Sequence, residues 1–320
     1  MLVILFTLLV GLAVILEIGL RTIGFGNPLI YIADEQIGYL LAPNQRTRRF
    51  GNLIKINEYS MRGEPIQRTP LTSTLRVLIL GDSIANGGWW TDQSQTISSL
   101  MTHSLSAAVT SKFQAVEVLN ASANSWGPRN ELAYLQRFGT FNAQVVVLLI
   151  NTDDLFATAP TSLPVGRDRN YPAKKPLLAL LEVFNRYLSK PKPIPEMQLV
   201  QDEGGDRVRF NLEAISKIQA LTRQVHSQFL LVMTPLLREI GEGGPRDYEI
   251  KARQRLSEFT QTHQITYIDF LPKFNTIPDF KTLYQDHIHL NFQGNQLVSS
   301  VISEQLSVNS KLLSINNFDN

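Results

Sequence analysis

The sequence predicts an α/β protein: a doubly wound parallel sheet of five strands with helices on both faces, preceded by one membrane-spanning helix. Three observations carry this expectation. Five short runs rich in Val, Leu and Ile recur between residues 76 and 269, helical patterns separate them, and the first twenty residues hold a single charge, Glu17. Near-continuous apolar runs suit strands buried on both faces, and alternation of strand with helix implies parallel pairing through crossovers.

The chain begins with the uncharged run Met1 to Leu16, which Ile18-Gly19-Leu20 continues past Glu17. Twenty helical residues span about 30 Å, the thickness of a bilayer core. A cleaved signal peptide would want basic residues before the run and a small-residue site after it, whereas Met1 opens it and Leu20-Arg21-Thr22 follows. The reading is therefore an uncleaved single-pass anchor over residues 1–20. The body is expected on the non-cytoplasmic side, with orientation open. Arg21, Arg46, Arg48, Arg49 and Lys55 all follow the segment and pull the positive-inside count the other way, although only Arg21 is close to it.

Residues 21–74, punctuated by Gly24, Gly26, Pro28, Gly38 and Pro43, read as a juxtamembrane arm with short β-like pieces such as Leu53 to Ile56. The five strand candidates follow at Arg76–Leu80, Ala115–Leu119, Gln144–Ile150, Phe229–Met233 and Thr266–Asp269. Helical patterns lie at Gln93 to Thr110, Pro128 to Phe138, Leu212 to His226, Tyr248 to His263 and Asn291 to Leu306. Pro128 suits a first helical turn and Gly139 a stop. These elements define a domain over residues 75–310 and leave 311–320 as a tail. Between Ala157 and Gly205, seven prolines surround one apolar helical piece, Leu177 to Leu188. An insertion of that size reads as a lid or partner surface, or equally as passive decoration.

Thirty Lys plus Arg stand against 28 Asp plus Glu. Residues 21–74 carry seven basic and four acidic side chains, so the small excess sits beside the anchor, where it can meet anionic lipid. Such a balance excludes a basic nucleic-acid binder. The absence of cysteine excludes a thiol nucleophile, thiolate metal sites and disulfides.

Active sites of such sheets lie beyond the carboxyl ends of the strands. Gly81-Asp82-Ser83 stands at the end of the first strand, where a glycine permits a sharp turn and the serine hydroxyl can face the crevice. Taken alone, Asp82 or Ser83 could simply cap the next helix. Asp286-His287-Ile288-His289 follows the last strand. A carboxylate three residues before an imidazole can orient it in a tight turn, so Ser83, His289 and Asp286 supply a nucleophile, its base and the group that fixes the base.

In these motifs the chain resembles the SGNH, or GDSL, hydrolases over about residues 75–310. The resemblance implies a flavodoxin-like three-layer α/β/α sandwich, with Ser83 as nucleophile, His289 as general base and Asp286 as its partner. Two family signatures depart. Ser125 aligns with a glycine whose backbone N–H binds the oxyanion, and that N–H survives the change. Asn151-Thr152-Asp153-Asp154 replaces Gly-x-Asn-Asp, which places Asp153 where an amide normally donates.

A carboxylate there would oppose a developing negative charge. Three solutions are open: Asn151 turns in and donates, Asp153 stays protonated in a dry site, or the backbone N–H groups of Ser83 and Ser125 act alone, and Asn151 is the first expectation. Trp89-Trp90 reads equally as pocket wall or core, and His287 beside His289 is a weak metal candidate without a third ligand in view. His103, His226 and His263 lie in helical patterns and read as surface or packed residues.

The expected activity is cleavage of an acyl ester, acetyl above all, on a carbohydrate or lipid, through an acyl-enzyme and without metal or organic cofactor. The alternatives are an O-acyltransferase acting on a glycan and a catalytically silent binding or assembly module.

Overall fold

The computed structural model describes residues 1–108 and 113–308. The expected tail at 311–320 lies outside the described residues, as do the last two residues of the helical pattern drawn to Thr110. Helix α1 (Leu2–Thr22) has no buried residue and is long and apolar enough to cross a membrane. Two antiparallel hairpins follow, β1 (Tyr31–Asp34) with β2 (Gly38–Leu41) and β3 (Gln45–Arg49) with β4 (Asn52–Ile56).

The sheet consists of β5 (Thr74–Gly81), β6 (Ala115–Ser122), β7 (Val145–Asn151), β8 (Gln228–Thr234) and β9 (Thr266–Asp269), in the order β6-β5-β7-β8-β9 with every pair parallel. All five expected strands are present. Strand β7 (VVVLLIN) is buried along its whole length, as the centre of a three-layer sandwich requires.

Alternating side chains of each strand feed two separate cores. Leu78, Leu80, Val146 and Leu148 pack with α4 (Pro128–Phe138), α7 (Arg207–Gln224) and α8 (Asp247–Thr262) through Tyr134, Ile215, Ile218 and Leu256. Val77, Ile79, Val147 and Leu149 pack on the other face with α3 (Ile97–Ala108), α9 (Phe270–Asn275) and α10 (Phe292–Val308) through Met101, Phe270, Phe274 and Ile302. Short helices α2 (Ser83–Asn86), α5 (Ala179–Val183) and α6 (Glu196–Gln201) complete the set.

Residues 21–74 are more than a connection. Ile37, Leu41, Ile54 and Met61 are buried in the same core as α4 and α7. Arg62 is buried and donates to the carbonyls of Asn86, Gly88 and Thr91, bracing the loop that follows α2. Apolar periodicity in the arm is short because each hairpin buries one face against an existing core instead of building its own.

The insertion at 157–205 lies against these hairpins. Its Pro172 carbonyl accepts the N–H of Tyr31, and Glu182 pairs with the buried Arg49. It also meets α1. Both carboxylate oxygens of Glu17 accept backbone N–H groups at the start of α5, from Ala179 at 2.8 Å and Leu180 at 3.0 Å.

Candidate active site

Strand β5 is where the winding reverses, with β6 on one side and β7 on the other, so the crevice opens beyond its carboxyl end. Gly81 closes the strand. A Cβ there would stand 2.7 Å from the Leu149 carbonyl oxygen and 2.8 Å from the Ala85 methyl, so only glycine lets β5 turn into α2 against β7. Asp82 caps α2, its Oδ1 accepting the Ile84 N–H at 2.8 Å. Capping by Asp82 and exposure of Ser83 to the crevice thus occur together, and the next side chain, Ser83, begins the helix with its N–H free of any intrahelical partner.

The loop from 284 to 290 is pinched by an antiparallel bridge between Tyr284 and Leu290 and by the Gln285 N–H donating to the His289 carbonyl at 2.8 Å. Within it, Asp286 Oδ1 accepts the N–H groups of Ile288 (2.9 Å) and His289 (2.8 Å), while Oδ2 lies 2.7 Å from His289 Nδ1. The other imidazole nitrogen, Nε2, is 2.9 Å from Ser83 Oγ. With Nδ1–H donating to Asp286, Nε2 is left to accept the serine proton. Burial alone would raise the Asp286 carboxyl, but the His289 N–H, the imidazole and the Ile288 N–H outweigh it and hold the group below its ordinary value. The Trp90 ring lies 4.3 Å from the imidazole centre, tilted by 49°, and covers one of its faces.

The residues expected to serve the oxyanion are placed differently from one another. Ser125 takes φ +58°, the left-handed region that favours glycine. Its N–H makes no hydrogen bond among the described residues, and its Oγ accepts from the Tyr171 hydroxyl at 2.8 Å. Asn151, first choice as replacement donor, is buried and its amide Nδ2 donates to Asp82 Oδ2 (2.8 Å) and Asp154 Oδ2 (3.0 Å). Its Oδ1 accepts the Asp153 N–H at 2.7 Å, so the side chain holds the ends of β5 and β7 together and has no donor left for the crevice. Asn151 is therefore not the replacement donor that strand alternation suggests: the short polar turn after β7 draws it inward to meet two buried carboxyls. Asp153 is exposed, and partial desolvation raises its carboxyl above the ordinary value against the opposing pull of Arg238.

Behind Ser83 lies a cluster of buried carboxyls. Burial raises Asp82, and it drives Asp154 and Glu131 well above their ordinary range, each also repelled by Asp82. Both oxygens of Glu131 lack a hydrogen-bond partner among the described residues. A protonated Glu131 is the form that such a site admits.

A solvent-open cleft of about 780 Å³ reaches Ser83 and His289. Its walls come from four separated parts of the chain: Tyr31 and Arg49 of the arm, Trp89 and Trp90, Ser125, and Tyr171 and Arg186 of the insertion. Trp89 and Trp90 are therefore cleft wall rather than core alone. Tyr171, Tyr39 and Tyr31 form an aromatic cluster with centroids 5.1 to 5.9 Å apart. No local motif marks the tyrosines and the two arginines; Tyr31 and Tyr39 meet Tyr171, and Arg49 meets Glu182, across more than a hundred residues. His287 is exposed, and no group of three metal-ligating side chains exists among the described residues.

A doubly wound sheet with a serine–imidazole pair at its reversal point is an architecture suited to hydrolytic chemistry. The chain belongs to the GDSL-like lipase/acylhydrolase family, whose model matches residues 79–297, and is an ester-hydrolysing enzyme of the SGNH type. No curated protein matches it. Solved structures similar to it include a lipase/acylhydrolase from Enterococcus faecalis (15% identity, 73% of this chain and 96% of that one, TM-score 0.45). An acetylxylan esterase from Geobacillus stearothermophilus is also similar (13% identity, 76% and 96%, TM-score 0.48). So is a member of the lipolytic G-D-S-L family from Veillonella parvula (12% identity, 72% and 96%, TM-score 0.43).

Proposed function

We propose that the protein is a membrane-anchored serine esterase that removes a short acyl group, acetyl above all, from a carbohydrate or lipid. Ser83 Oγ attacks the ester carbonyl while His289 Nε2 takes its proton, and Asp286 fixes the imidazole and stabilises its cation. The imidazolium returns the proton to the departing alcohol. Water, activated by the same nitrogen, then attacks the acyl-Ser83 carbonyl and releases the acid. The tetrahedral oxyanion of each half-reaction is stabilised by the N–H groups of Ser83 and Ser125, to which Asp153 adds a donor only while its carboxyl is protonated.

One observation carries this reading: the unbroken hydrogen-bonded path from Asp286 through His289 to Ser83, at 2.7 and 2.9 Å, at the floor of an open cleft. An assembly module has no use for such a path. Transfer to a glycan hydroxyl needs water kept out, and a solvent-open cleft favours hydrolysis. The anchor is supported by the built-in contacts of Glu17 with Ala179 and Leu180, which a cleaved leader would not make.

The test is hydrolysis of acetyl esters by the full chain in detergent, wild type against Ser83→Ala, over acetylated sugars and longer-chain acyl lipids. The expected result is hydrolysis by the wild type alone. Equal rates would remove Ser83 from the mechanism, and acyl transfer to an oligosaccharide without hydrolysis would make the protein a transferase.

A further inference from the structure

Residues 179–188 are helical, and with Leu177 and Leu178 before them they present an apolar side that faces the wrong way for a protein in water. Leu177 (87% exposed), Leu181, Phe184 and Leu188 (73% exposed) recur at helical spacing on the outer face. Ala179 and Glu182 point inward, where Glu182 accepts the Gly26 N–H at 2.7 Å and pairs with Arg49. A surface helix normally buries its apolar stripe and turns its charges outward; an exposed run of large apolar side chains marks a surface that something covers.

The covering body is indicated by what holds this segment. Glu17, in the penultimate turn of α1, accepts the N–H groups of Ala179 and Leu180, and Arg21 donates to the Leu177 carbonyl at 2.8 Å. The exposed leucines are therefore tied to the carboxyl-terminal end of a helix long enough to cross a membrane. If that helix spans the bilayer, its last turns lie at the boundary between acyl chains and head groups, and residues 177–188 share that level. The flanking charge agrees. Residues 167–192 contain seven basic side chains and two acidic ones, with Lys174 and Lys175 before the apolar piece and Lys190 and Lys192 after it. Basic residues bordering an apolar helical face are the pattern of a helix lying in the interface of an anionic membrane.

We propose that the outer face of residues 177–188 is embedded in the head-group region of the membrane beside α1, so that the Ser83 cleft opens at the lipid surface. The cleft and the embedded face share one short stretch: Arg186 lines the cleft while Tyr187 and Leu188 point outward. Substrate carried on a lipid, or on a glycan close to the membrane, thus reaches Ser83 without leaving the interface. The proposal rests on the reading of α1 as a retained membrane anchor.

The chain has no cysteine, so single labels can be placed cleanly. Leu9→Cys, Leu181→Cys, Leu188→Cys and Gln224→Cys, each carrying an environment-sensitive fluorophore, are reconstituted as full chains in vesicles of equimolar phosphatidylcholine and phosphatidylglycerol. Spin-labelled lipids then act as quenchers. Labels at 181 and 188 are expected to lose about half of their emission or more with the quencher near the head group, as for an apolar face about 5–10 Å deep. The label at Leu9 responds to a quencher deep in the acyl chains, and that at Gln224, at the strand-start end of the sheet, responds to neither. Quenching at Leu9 without quenching at 181 and 188 overturns the docking and leaves the anchor standing. No quenching at Leu9 overturns the anchor, and the docking with it. Blue-shifted but unquenched labels at 181 and 188 would assign the face to a second copy of the chain.

Discussion

His289 Nε2 stands 2.9 Å from Ser83 Oγ, joining two motifs 206 positions apart across the carboxyl edge of one sheet. The same ring is held at Nδ1 by Asp286, whose carboxylate is itself fixed by two backbone N–H groups. Replacing Asp286 by Asn presents an amide that can donate to Nδ1, which turns the imidazole to the tautomer that cannot take the serine proton. Asp286→Asn is expected to lower kcat by about 10³- to 10⁴-fold with little change in KM. A fall of less than tenfold in steady-state kinetics would mean that Asp286 is not the orienting group.

Asp153 gives a pH signature. Its carboxyl lies above the ordinary value, and only the protonated form can donate to an oxyanion. As pH rises through its pKa, the donor becomes a negative charge and the wild-type rate falls. Asp153→Asn keeps a donor at every pH, so its kcat should exceed that of the wild type at alkaline pH, by about tenfold or more, and converge on it toward acid. Parallel pH–rate profiles would take Asp153 out of the oxyanion site.

Ser125 pays for its position with a left-handed backbone, φ +58°. Ser125→Gly removes that strain, about 1 kcal/mol, and keeps the N–H. The variant should melt slightly higher and retain activity within a fewfold, while Ser125→Pro, which has no N–H and cannot adopt this φ, should lose most of it. Equal activity of the Gly and Pro variants would exclude the Ser125 N–H as an oxyanion donor.

Burial raises Glu131 far above its ordinary value and leaves it without a partner. In the unfolded chain the group ionises near 4.5, whereas the folded protein keeps it protonated well beyond that. Folding stability is therefore lost progressively as pH rises between the two values. Glu131→Gln has no such dependence, so its melting temperature should gain on the wild type from pH 5 upward, read by thermal denaturation. A constant difference across pH would contradict the raised carboxyl.

Glu249 supplies the opposite case. The Arg238 guanidinium beside it holds its carboxyl down to about 2, against 4.5 when free. Its stabilisation is complete above about 4.5 and disappears as pH falls through about 2. Acid unfolding of Glu249→Gln should be shallower than that of the wild type in this window. Superimposable acid transitions would show that the ion pair adds nothing to stability.

The extent to which sequence was sufficient differs by element. Strand β7, six apolar residues ended by Asn151, reads as a strand buried on both faces, and its neighbours follow the same logic of alternation. Ser83, Asp286 and His289 stand out in the sequence because each sits in a short motif, Ser83 at the end of β5 and the other two in the tight loop before α10, where chain geometry over three or four residues sets the direction of the side chain. Asn151 departs from its expected role for a complementary reason. Strand alternation placed it on the right edge but not in the right partnership, and its amide is claimed by Asp82 and Asp154.

By itself, then, the sequence determined the sheet, the apolar amino-terminal helix and the two short motifs that the fold brings together at Ser83 and at Asp286 with His289, because local periodicity and local turn chemistry decide them. Only the tertiary structure decided how the arm and the insertion build a cleft. Arg49 meets Glu182 across 133 positions and Tyr171 meets Ser125 across 46. Contacts of that range depend on which buried charge finds a partner and which apolar face finds a core, and no pattern within a short window records the outcome.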